Sequence, residues 1–468
     1  MRKPNVAWSP VLETAIRAAR LVRRCVAAAM PGAASDSEPR SISANADVDA
    51  TESHAMTPLE AAKLRFEHAN EALLAAKRAW HDAAAEVETS GAEMTALYHA
   101  WARERSRAAL VDNGDRRASV VDRVEQTHEL LTRPLPIRSA TVESSNGDRS
   151  LHVGIAEWFQ IGERDRVERV VETLHRLGVR RLRTAISWAD WYTPDAPAWY
   201  AWLLPRLREQ FDVLPCLMYT PPSLGVEPKT SSPPRWVPAY TEFVVQVLLR
   251  FEHLFDHIEL WNEPNCLSEW DWNLDADWSA FCEMVVPAAH VARQRGLRVV
   301  LGGITPPDPA WLELMCNRGL IDHVDVVGIH GFPGTWETDW PGWDSHISAL
   351  QRVLDAHGAS AEIWITETGY STWTDEPRQV DAFVEALDAD AARVYWFSAE
   401  DLAATRDTMD GFHSDEREYH LGLCRETGEP KWLARLWAAD GIAGVEAEHR
   451  RRAASCSDEF VDAPSRRP

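Results

Sequence analysis

The sequence lacks the cysteine patterns that mark a disulfide framework or a structural zinc site. Its 468 residues include seven cysteines, an odd number, and no two of them are spaced as Cys-x-x-Cys. Disulfide-rich secreted domains and structural zinc sites both depend on closely spaced cysteines. The absence of these cysteine patterns therefore favours a reducing compartment, and we expect a cytoplasmic protein.

Long apolar runs and positive charge are scarce as well. No apolar stretch approaches the ~20 residues that a bilayer-spanning helix needs, so we expect no stable membrane insertion. The chain carries 49 Lys and Arg against 72 Asp and Glu, which gives a formal net charge of -23 at pH 7. This balance disfavours nucleic acid as a partner and suits a neutral ligand such as a sugar.

Three common catalytic or cofactor-binding motifs are also missing. The chain contains no Gly-x-Ser-x-Gly elbow, which disfavours a serine hydrolase of the α/β type, and no His-Glu-x-x-His pair, which disfavours a zinc protease. No glycine-rich phosphate-binding turn follows the first predicted strand of the large domain. This absence argues against an open dinucleotide-binding sheet.

The first part of the chain contains two segments without a predicted core. Residues 1–56 combine a basic start with a stretch that is poor in large apolar side chains, so we expect them to be disordered. Residues 113–149 are polar and contain two prolines, a composition typical of a linker.

Between these segments lies a helical arm, residues 57–112. Thr57 is a suitable N-cap, Pro58 suits the first helical position, and Gly91 interrupts the helical pattern. The pattern predicts an α-helical hairpin or a coiled-coil arm. Such an arm either packs on the main domain or mediates self-association or partner contact through residues 57–110.

Residues 150–440 have a different texture, in which apolar runs typical of buried strands alternate with segments of helical periodicity. Eight strand-then-helix units over about 290 residues match an α/β protein of the (β/α)8 or TIM-barrel class in both count and length. Residues 441–468 are charged and rich in alanine, and we expect a disordered tail there. The predicted strands begin at Leu151, Val179, Asp212, His257, Leu297, Val324, Ala361 and Ala392.

Two short stretches share one design, an apolar strand that ends on a glutamate. Residues 258–265 read Ile-Glu-Leu-Trp-Asn-Glu-Pro-Asn, and Pro264 prevents the strand from continuing beyond Glu263. Residues 362–371 read Glu-Ile-Trp-Ile-Thr-Glu-Thr-Gly-Tyr-Ser and place Glu367 at a strand end. The carboxyl ends of barrel strands form the active site, and strands 4 and 7 lie nearly opposite each other. Two facing carboxylates are the minimum equipment for cleaving a glycosidic bond.

Trp-Asn-Glu-Pro at strand 4 and Thr-Glu-Thr-Gly at strand 7 of such a barrel resemble the retaining (β/α)8 glycoside hydrolases of the 4/7 superfamily. That superfamily includes cellulase-like and β-xylosidase-like families. The resemblance covers about residues 150 to 440. It implies a retaining β-glycosidase that binds an oligosaccharide or glycoside and needs neither a metal ion nor an organic cofactor.

The resemblance also implies roles for particular residues. Glu263 matches the general acid/base, Glu367 matches the nucleophile, and Asn262 matches the residue that binds the sugar 2-hydroxyl. Arg183 resembles the arginine that keeps the nucleophile ionised, since a positive neighbour lowers the pKa of a carboxylate. Glu263 must have a raised pKa to act as an acid, and we expect the second carboxylate to raise it.

Two further side chains complete the implied set. His330 on strand 6 resembles a residue of the active-site wall, and Trp396 on strand 8 resembles the platform beneath the reacting sugar. Ordinary structural roles remain open for both, namely a satisfied buried histidine and barrel packing. Arg180 and Arg181 remain alternatives to Arg183, although alternation places Arg181 and Arg183 on the same strand face.

The chain departs from some members of the superfamily at two strands. Strand 6 carries His-Gly-Phe at 330–332 where cellulase-like members have His-x-Tyr, so a hydroxyl bonded to the nucleophile comes from Tyr219, from Tyr370 or from neither. Strand 3 ends in Thr-Pro-Pro at 220–222, which is closer to the xylosidase-like turn. A β-xyloside or related sugar is therefore the first substrate hypothesis. Two other functions stay open, a carbohydrate-binding barrel without turnover and a scaffold that acts through the helical arm.

Overall fold

The computed structural model describes residues 58–113, 152–406 and 415–461, with side chains at 78, 82–111, 152–406 and 415–455. The segment expected to be disordered lies outside these ranges, as does the expected linker apart from Asn113. Both expectations stay predictions. The chain divides into two compact units, Met1–Glu93 and Met94–Pro468.

Eight parallel strands form a closed barrel in the larger unit, which confirms the predicted (β/α)8 fold. Each strand pairs with its neighbour in the sequence, and β1 closes the barrel against β8. Every strand that the apolar runs predicted is present. The strands are β1 Val153–Ala156, β2 Arg181–Ser187, β3 Asp212–Met218, β4 His257–Leu260, β5 Arg298–Ile304, β6 Val326–Gly331, β7 Glu362–Thr368 and β8 Val394–Phe397.

The helices that follow the strands contribute apolar side chains to the outer core, and α1 precedes the first strand. No helix in the described part of the chain is both long and apolar enough to cross a membrane. The α-helices that the structure describes are α1 Pro58–Asn113, α2 Arg164–Arg176, α3 Trp188–Trp191, α4 Ala196–Arg208, α5 Pro238–Phe251, α6 Ser279–Gln294, α7 Pro309–Asn317, α8 Trp343–Ala356, α9 Arg378–Leu387 and α10 Trp432–Val461. Within the described residues, 3-10 helices lie at Glu252–Leu254, Ile321–His323 and Glu416–His420.

Alternation along the strands separates a small inner cluster from a large outer core. Side chains that point inward fill the barrel, and those that point outward pack against the helices. The inner cluster reaches the level of Arg183, because Ala156 pairs in register with that residue. The inner cluster consists of Ala156, Leu214, Val300, Val326, Trp364 and Tyr395, with Phe397 packed against it.

The N-terminal arm is one helix and not the expected hairpin. Helix α1 runs over Pro58–Asn113 with Gly91 inside it. A single glycine costs a helix only about 1 kcal/mol relative to alanine, which the surrounding helix-forming residues offset. The part from Met94 onward belongs to the unit that contains the barrel. Pairing of residues 57–110 with another chain stays a prediction. The buried side chains of this part are Ala102, Ser106 and Ala109.

The segment beyond Gly441 is helical up to Val461, which contradicts the expected disordered tail. Helix α10 contains a kink at Gly441, whose φ of 66° lies in the left-handed region that glycine tolerates. Beyond the kink, Ile442 and Val445 are buried in the core. The expected disorder was inferred from overall composition. Two apolar side chains at helical spacing are nevertheless enough to anchor an otherwise charged helix on the core. Residues 462–468 lie outside the described ranges.

Replacing Val445 with aspartate tests the docking of this C-terminal helix. Val445 is fully buried, so a carboxylate there would lose its hydration without gaining a partner. We expect the free energy of unfolding to fall by about 2 kcal/mol or more, and the melting temperature followed by circular dichroism to fall with it. Ala447→Asp, at an exposed position of the same helix, is the matched control. Equal melting of the two variants would contradict the docking.

Candidate active site

Strand β4 ends in a backbone bend that aims Glu263 at the barrel mouth. Trp261 and Glu263 adopt left-handed conformations, with φ of 72° and 42°. Residues other than glycine adopt this region at a cost of about 1–3 kcal/mol each, which neighbouring contacts must offset. Gly302 on β5 makes the bend possible, because a Cβ there would lie 1.9 Å from the carbonyl oxygen of Trp261. Two neighbouring strands therefore determine the direction of Glu263.

Glu367 reaches the same mouth from the end of β7. One carboxylate oxygen of Glu367, one of Glu263 and a ring nitrogen of His330 all lie within 4.8 Å of one another. The Glu367 and Glu263 side chains are 10% and 17% exposed. The two glutamates therefore face each other in a mostly enclosed space that keeps a narrow contact with solvent.

A single buried arginine holds the centre of the site. The Arg183 guanidinium donates to Glu367 Oε2 at 2.7 Å, to Asn262 Oδ1 at 2.7 Å and to the two oxygens of Glu259 at 2.6 and 3.1 Å. Its face lies 4.8 Å from the Trp158 ring centroid. These bonds tie the ends of strands β2, β4 and β7 together.

The two alternative arginines do not occupy this position. Arg180 is exposed, and Arg181 lies two residues earlier on β2, 3.8 Å from Asp212. Arg183 is therefore the arginine that stands at the level of the two glutamates.

Glu259 is a residue of the site that sequence reasoning missed. It lies in the middle of β4, is 0% exposed, and pairs in register with Cys216 of β3. A glutamate between apolar residues of a short buried strand is a usable signal, because a buried carboxylate needs a positive partner. Alternation along β2 and β4 points Arg183 and Glu259 into the barrel, where they meet.

His330 is fully buried and acts as a partner of Glu263. Its Nδ1 lies 2.8 Å from Glu263 Oε1, and its Nε2 lies 3.0 Å from the Thr366 hydroxyl. Gly303 on β5 makes room for the ring, because a Cβ there would lie 2.0 Å from it. Burial lowers the pKa of His330 to about 4, so the imidazole is neutral near pH 7.

The two glutamates differ in their surroundings. Burial raises the pKa of Glu263 to about 7, while Arg183 and Cys266 oppose the rise. Loss of hydration, and not the expected second carboxylate, is thus the main cause. Burial also raises the pKa of Glu367 above its ordinary value, although the Arg183 guanidinium opposes the rise. Glu263 is the glutamate that keeps a proton near neutral pH, since Glu367 is ion-paired directly with Arg183.

A third carboxylate, Glu269, lies beside Glu263 on the loop after β4. It hydrogen-bonds Asn262, and burial together with the charge of Glu263 raises its pKa to about 8. Its Oε2 is buried and has no hydrogen-bond partner among the described residues. Sequence reasoning did not find Glu269, because a loop position has no periodicity that predicts where the side chain points.

Tyr219 stands near these carboxylates at the end of β3. It is half-buried, and its backbone φ is 71°. Burial raises the pKa of its hydroxyl, and the charges of Glu269 and Glu263 raise that pKa further, each by more than the charge of Glu367 does. Tyr370 is 8% exposed. A hydrogen bond from either tyrosine to Glu367 stays a prediction.

Trp396 does not lie at the mouth, which contradicts its expected role as a sugar platform. Its side chain is 0% exposed and packs edge-on against Phe383 of α9, with the ring centroids 5.2 Å apart. The next residue, Phe397, points inward and is half-buried, with the Phe332 ring 6.3 Å away. Strand β8 has only four residues, and an error of one residue in phase exchanges its inner and outer faces.

Comparison with known proteins adds only distant likenesses. The chain matches no protein-family model, and no curated protein sequence matches it. Among solved structures, a family 39 glycoside hydrolase from Bacteroides cellulosilyticus WH2 has a TM-score of 0.46 at 16% identity, over 63% of this chain and 64% of its own. An endo-laminarinase from Formosa Hel1_33_131 gives 0.42 at 16%, over 62% and 88%. A β-mannanase from Streptomyces thermolilacinus gives 0.40 at 16%, over 63% and 91%. Likeness at this level identifies neither a family nor a substrate for this chain.

Replacing Gly303 with alanine tests the packing that holds His330. The added methyl would occupy the position of the ring, so we expect His330 to move away from Glu263 and towards water. Nitrogen NMR of the histidine rings should show the His330 signal titrating near pH 4 in the wild type and at higher pH in Gly303→Ala, because the variant loses the burial that lowers the pKa.

The His330→Gln variant assigns the signal. The unfolded chain binds this proton near the ordinary pKa of 6.5, so the buried neutral ring makes the fold less stable as pH falls from 6.5 to 4. A wild-type midpoint near 6.5 would contradict the buried, neutral ring.

Proposed function

We propose that this protein is a retaining β-glycosidase that acts by double displacement. The observation that carries the proposal is the separation of the two glutamates, whose nearest oxygens lie within 4.8 Å. Retaining glycosidases hold their carboxyl groups about 5–5.5 Å apart, whereas inverting ones leave about 6.5–9.5 Å for a water molecule. The short separation favours direct attack by one glutamate on the anomeric carbon.

In this proposal Glu263 is first the general acid and then the general base. With a pKa of about 7 it holds a proton at neutral pH, and it transfers that proton to the glycosidic oxygen as the bond to the leaving group breaks. His330 at 2.8 Å keeps the carboxyl group oriented. In the second step the ionised Glu263 takes a proton from the attacking water.

Glu367 is the proposed nucleophile. The ion pair with Arg183 at 2.7 Å favours its ionised form. Its carboxylate forms an ester with the anomeric carbon while the leaving group departs, and water then displaces the ester from the same face as the leaving group left. Two inversions give net retention and restore Glu367. The ester carries no charge, so the pKa of the neighbouring Glu263 falls while the ester exists, which suits the base role.

Asn262 is the proposed ligand of the sugar beside the anomeric centre. Its Oδ1 accepts a bond from Arg183 at 2.7 Å, and its amide bonds Glu269. Both ends of the amide group are therefore held, which favours a single orientation towards substrate. Tyr219 and the half-buried Phe397 are the neighbouring side chains proposed to face the sugar.

The charge of the site suggests a neutral glycone, and we propose a β-xyloside or related sugar. Three glutamates, Glu263, Glu269 and Glu367, line the mouth, and Arg183 is already paired with Glu259. A sugar carboxylate would meet the ionised Glu367 and would find no free cation in Arg183, because that residue is already paired with Glu259 and Glu367. The five cysteines of the described part are buried and none of them forms a disulfide, which suits the proposed cytoplasmic location.

Aryl β-glycosides test the roles of the two glutamates. We expect nitrophenol release from at least one of the xyloside, glucoside, galactoside, mannoside and arabinoside. Glu367→Gln should be inactive on all of them, with a loss of at least about 10⁴-fold, because no ester forms. Glu263→Ala should keep its first step on this good leaving group and should be accelerated by azide, which needs no base.

Glu242→Gln, at an exposed position of α5, is the control for a glutamate-to-glutamine change and should resemble the wild type. Hydrolysis that survives in Glu367→Gln would exclude Glu367 as the nucleophile. Sugar binding by calorimetry without any turnover would favour the carbohydrate-binding barrel.

The pH dependence of kcat/KM tests the acid role separately. The acid must be protonated to act, so activity should fall as the pH rises through the pKa of Glu263, which is about 7. We expect this basic limb to disappear in Glu263→Ala when the substrate carries a dinitrophenyl leaving group, which departs without a proton. A basic limb that persists in Glu263→Ala would mean that another group is the acid.

A further inference from the structure

Helix α1 contacts the loop that carries Glu263. The Tyr98 hydroxyl accepts a hydrogen bond from the backbone amide of Leu267 and donates one to Cys266 Sγ at 3.4 Å. Tyr98 and Trp101 also pack against Trp272 of the same loop, with ring centroids 6.2 and 5.5 Å away. A helix that precedes the first barrel strand thus reaches the edge of the candidate active site.

Cys266 connects Tyr98 to Glu263. The Cys266 amide donates to the Glu263 carbonyl oxygen at 2.8 Å, and its thiol hydrogen-bonds the Glu263 carboxyl group. The sulfur also lies 3.0 Å from the Ser268 hydroxyl. A thiol donates its one hydrogen and accepts bonds at sulfur, so a chain of donors runs from Tyr98 through Cys266 to Glu263. Burial raises the pKa of Cys266 to about 12, which keeps the thiol protonated.

The loop needs such support because its first residues are strained. Glu263 is left-handed, and a loop without secondary structure is the most adaptable part of a barrel. Gly302 admits the bend on the side of β5, and Tyr98 fixes the other side through Leu267. Without the second contact, the loop would be free to relax towards an unstrained backbone and carry Glu263 with it.

We propose that Tyr98 is a positioning residue of the candidate active site, which fixes the loop after β4 and so orients Glu263 towards the leaving group. Tyr98 itself does not touch the reacting atoms, and it acts through Cys266 and Leu267. The catalytic unit then includes the second half of α1, and the barrel strands with their helices are not sufficient. This inference rests on the proposed role of Glu263 as the acid.

Removing the Tyr98 hydroxyl leaves the other groups around Glu263 in place. The Cys266 thiol loses a donor and becomes a weaker donor itself, so the pKa of Glu263 should rise. The charged and titratable groups that face Glu263 are Arg183 from β2, Tyr219 from β3, Cys266 and Glu269 from the β4 loop, His330 from β6, Glu337 from the β6 loop and Glu367 from β7.

The Tyr98→Phe variant tests the proposal with two aryl glycosides of the same sugar. A phenyl leaving group needs a proton from Glu263, and a dinitrophenyl group does not. We expect kcat/KM to fall about 10- to 100-fold for the phenyl glycoside and to change less than about 3-fold for the dinitrophenyl glycoside. The basic limb of the phenyl profile should move to higher pH. Tyr192→Phe, at a 54% exposed tyrosine, is the matched control and should leave both rates unchanged.

Two further variants distinguish loss of the hydrogen bonds through Cys266 from a general loss of folding. Cys266→Ser keeps a hydrogen donor and acceptor between Tyr98 and Glu263 and should retain most of the phenyl-glycoside rate, whereas Cys266→Ala should show the selective loss. Equal losses on both substrates with an unmoved pH profile would overturn the proposal, since a merely structural contact gives that result. Wild-type rates in Tyr98→Phe would overturn it as well.

A carbon NMR titration of the Glu263 carboxyl group separates this proposal from the proposed function. The Glu263→Gln variant assigns the signal, and no substrate is needed. An upward shift of the Glu263 midpoint in Tyr98→Phe, but not in Tyr192→Phe, supports the connection even if no glycoside is hydrolysed. An unmoved midpoint contradicts it even if Glu263 proves to be the acid.

Discussion

The buried ion network of Arg183 is the interaction on which the rest of the site depends. Bringing a guanidinium and two carboxylates out of water carries a penalty of several kcal/mol per ion unless the groups satisfy one another. Arg183 meets this condition with Glu259, Glu367 and Asn262. Loss of Arg183 would leave Glu259 as an uncompensated charge in the barrel, so the network links stability and chemistry. The same guanidinium holds the proposed nucleophile and the proposed sugar ligand in one frame.

A second constraint is the space that glycines leave on β5. Gly302 admits the backbone of Trp261, and the adjacent Gly303 admits the ring of His330. The first glycine permits the bend that directs Glu263, and the second permits the hydrogen bond that orients its carboxyl group. Strand β5 contributes no reactive side chain to this arrangement, yet side chains at these two positions would displace the acid. Local backbone space thus determines the geometry of a residue on the neighbouring strand.

Much of the fold and part of the site could be predicted from the sequence, because both depend on strand periodicity. The eight apolar runs predicted eight strands, and a strand that ends on a glutamate identified Glu263 and Glu367 as residues of the mouth. Arg183 was implied by the resemblance, and alternation along β2 left Arg181 open beside it. These inferences were possible because the spacing of apolar residues and the residue at which a strand ends are both local properties of the sequence.

The predictions that failed depended on which face of a strand a side chain occupies, or on contacts between residues far apart in the sequence. The four residues of β8 were too few to decide whether Trp396 or Phe397 faces inward. The role of Glu259 in the site is evident only because Arg183 lies beside it in the fold. The position of Glu269 is likewise evident only after its loop has folded back. Gly91 suggested a break, but one glycine did not outweigh a helical run, part of which packs within the unit that contains the barrel.

The most direct test of the central claim is to trap the covalent intermediate. A dinitrophenyl 2-deoxy-2-fluoro-β-glycoside of the preferred sugar should form the ester quickly and hydrolyse it slowly, because fluorine destabilises a cationic transition state while the leaving group needs no proton. Mass spectrometry of the intact protein and its peptides should find one sugar per chain, attached to Glu367, and none in Glu367→Gln. A label on another residue, or turnover of the parent glycoside without any label, would contradict the account.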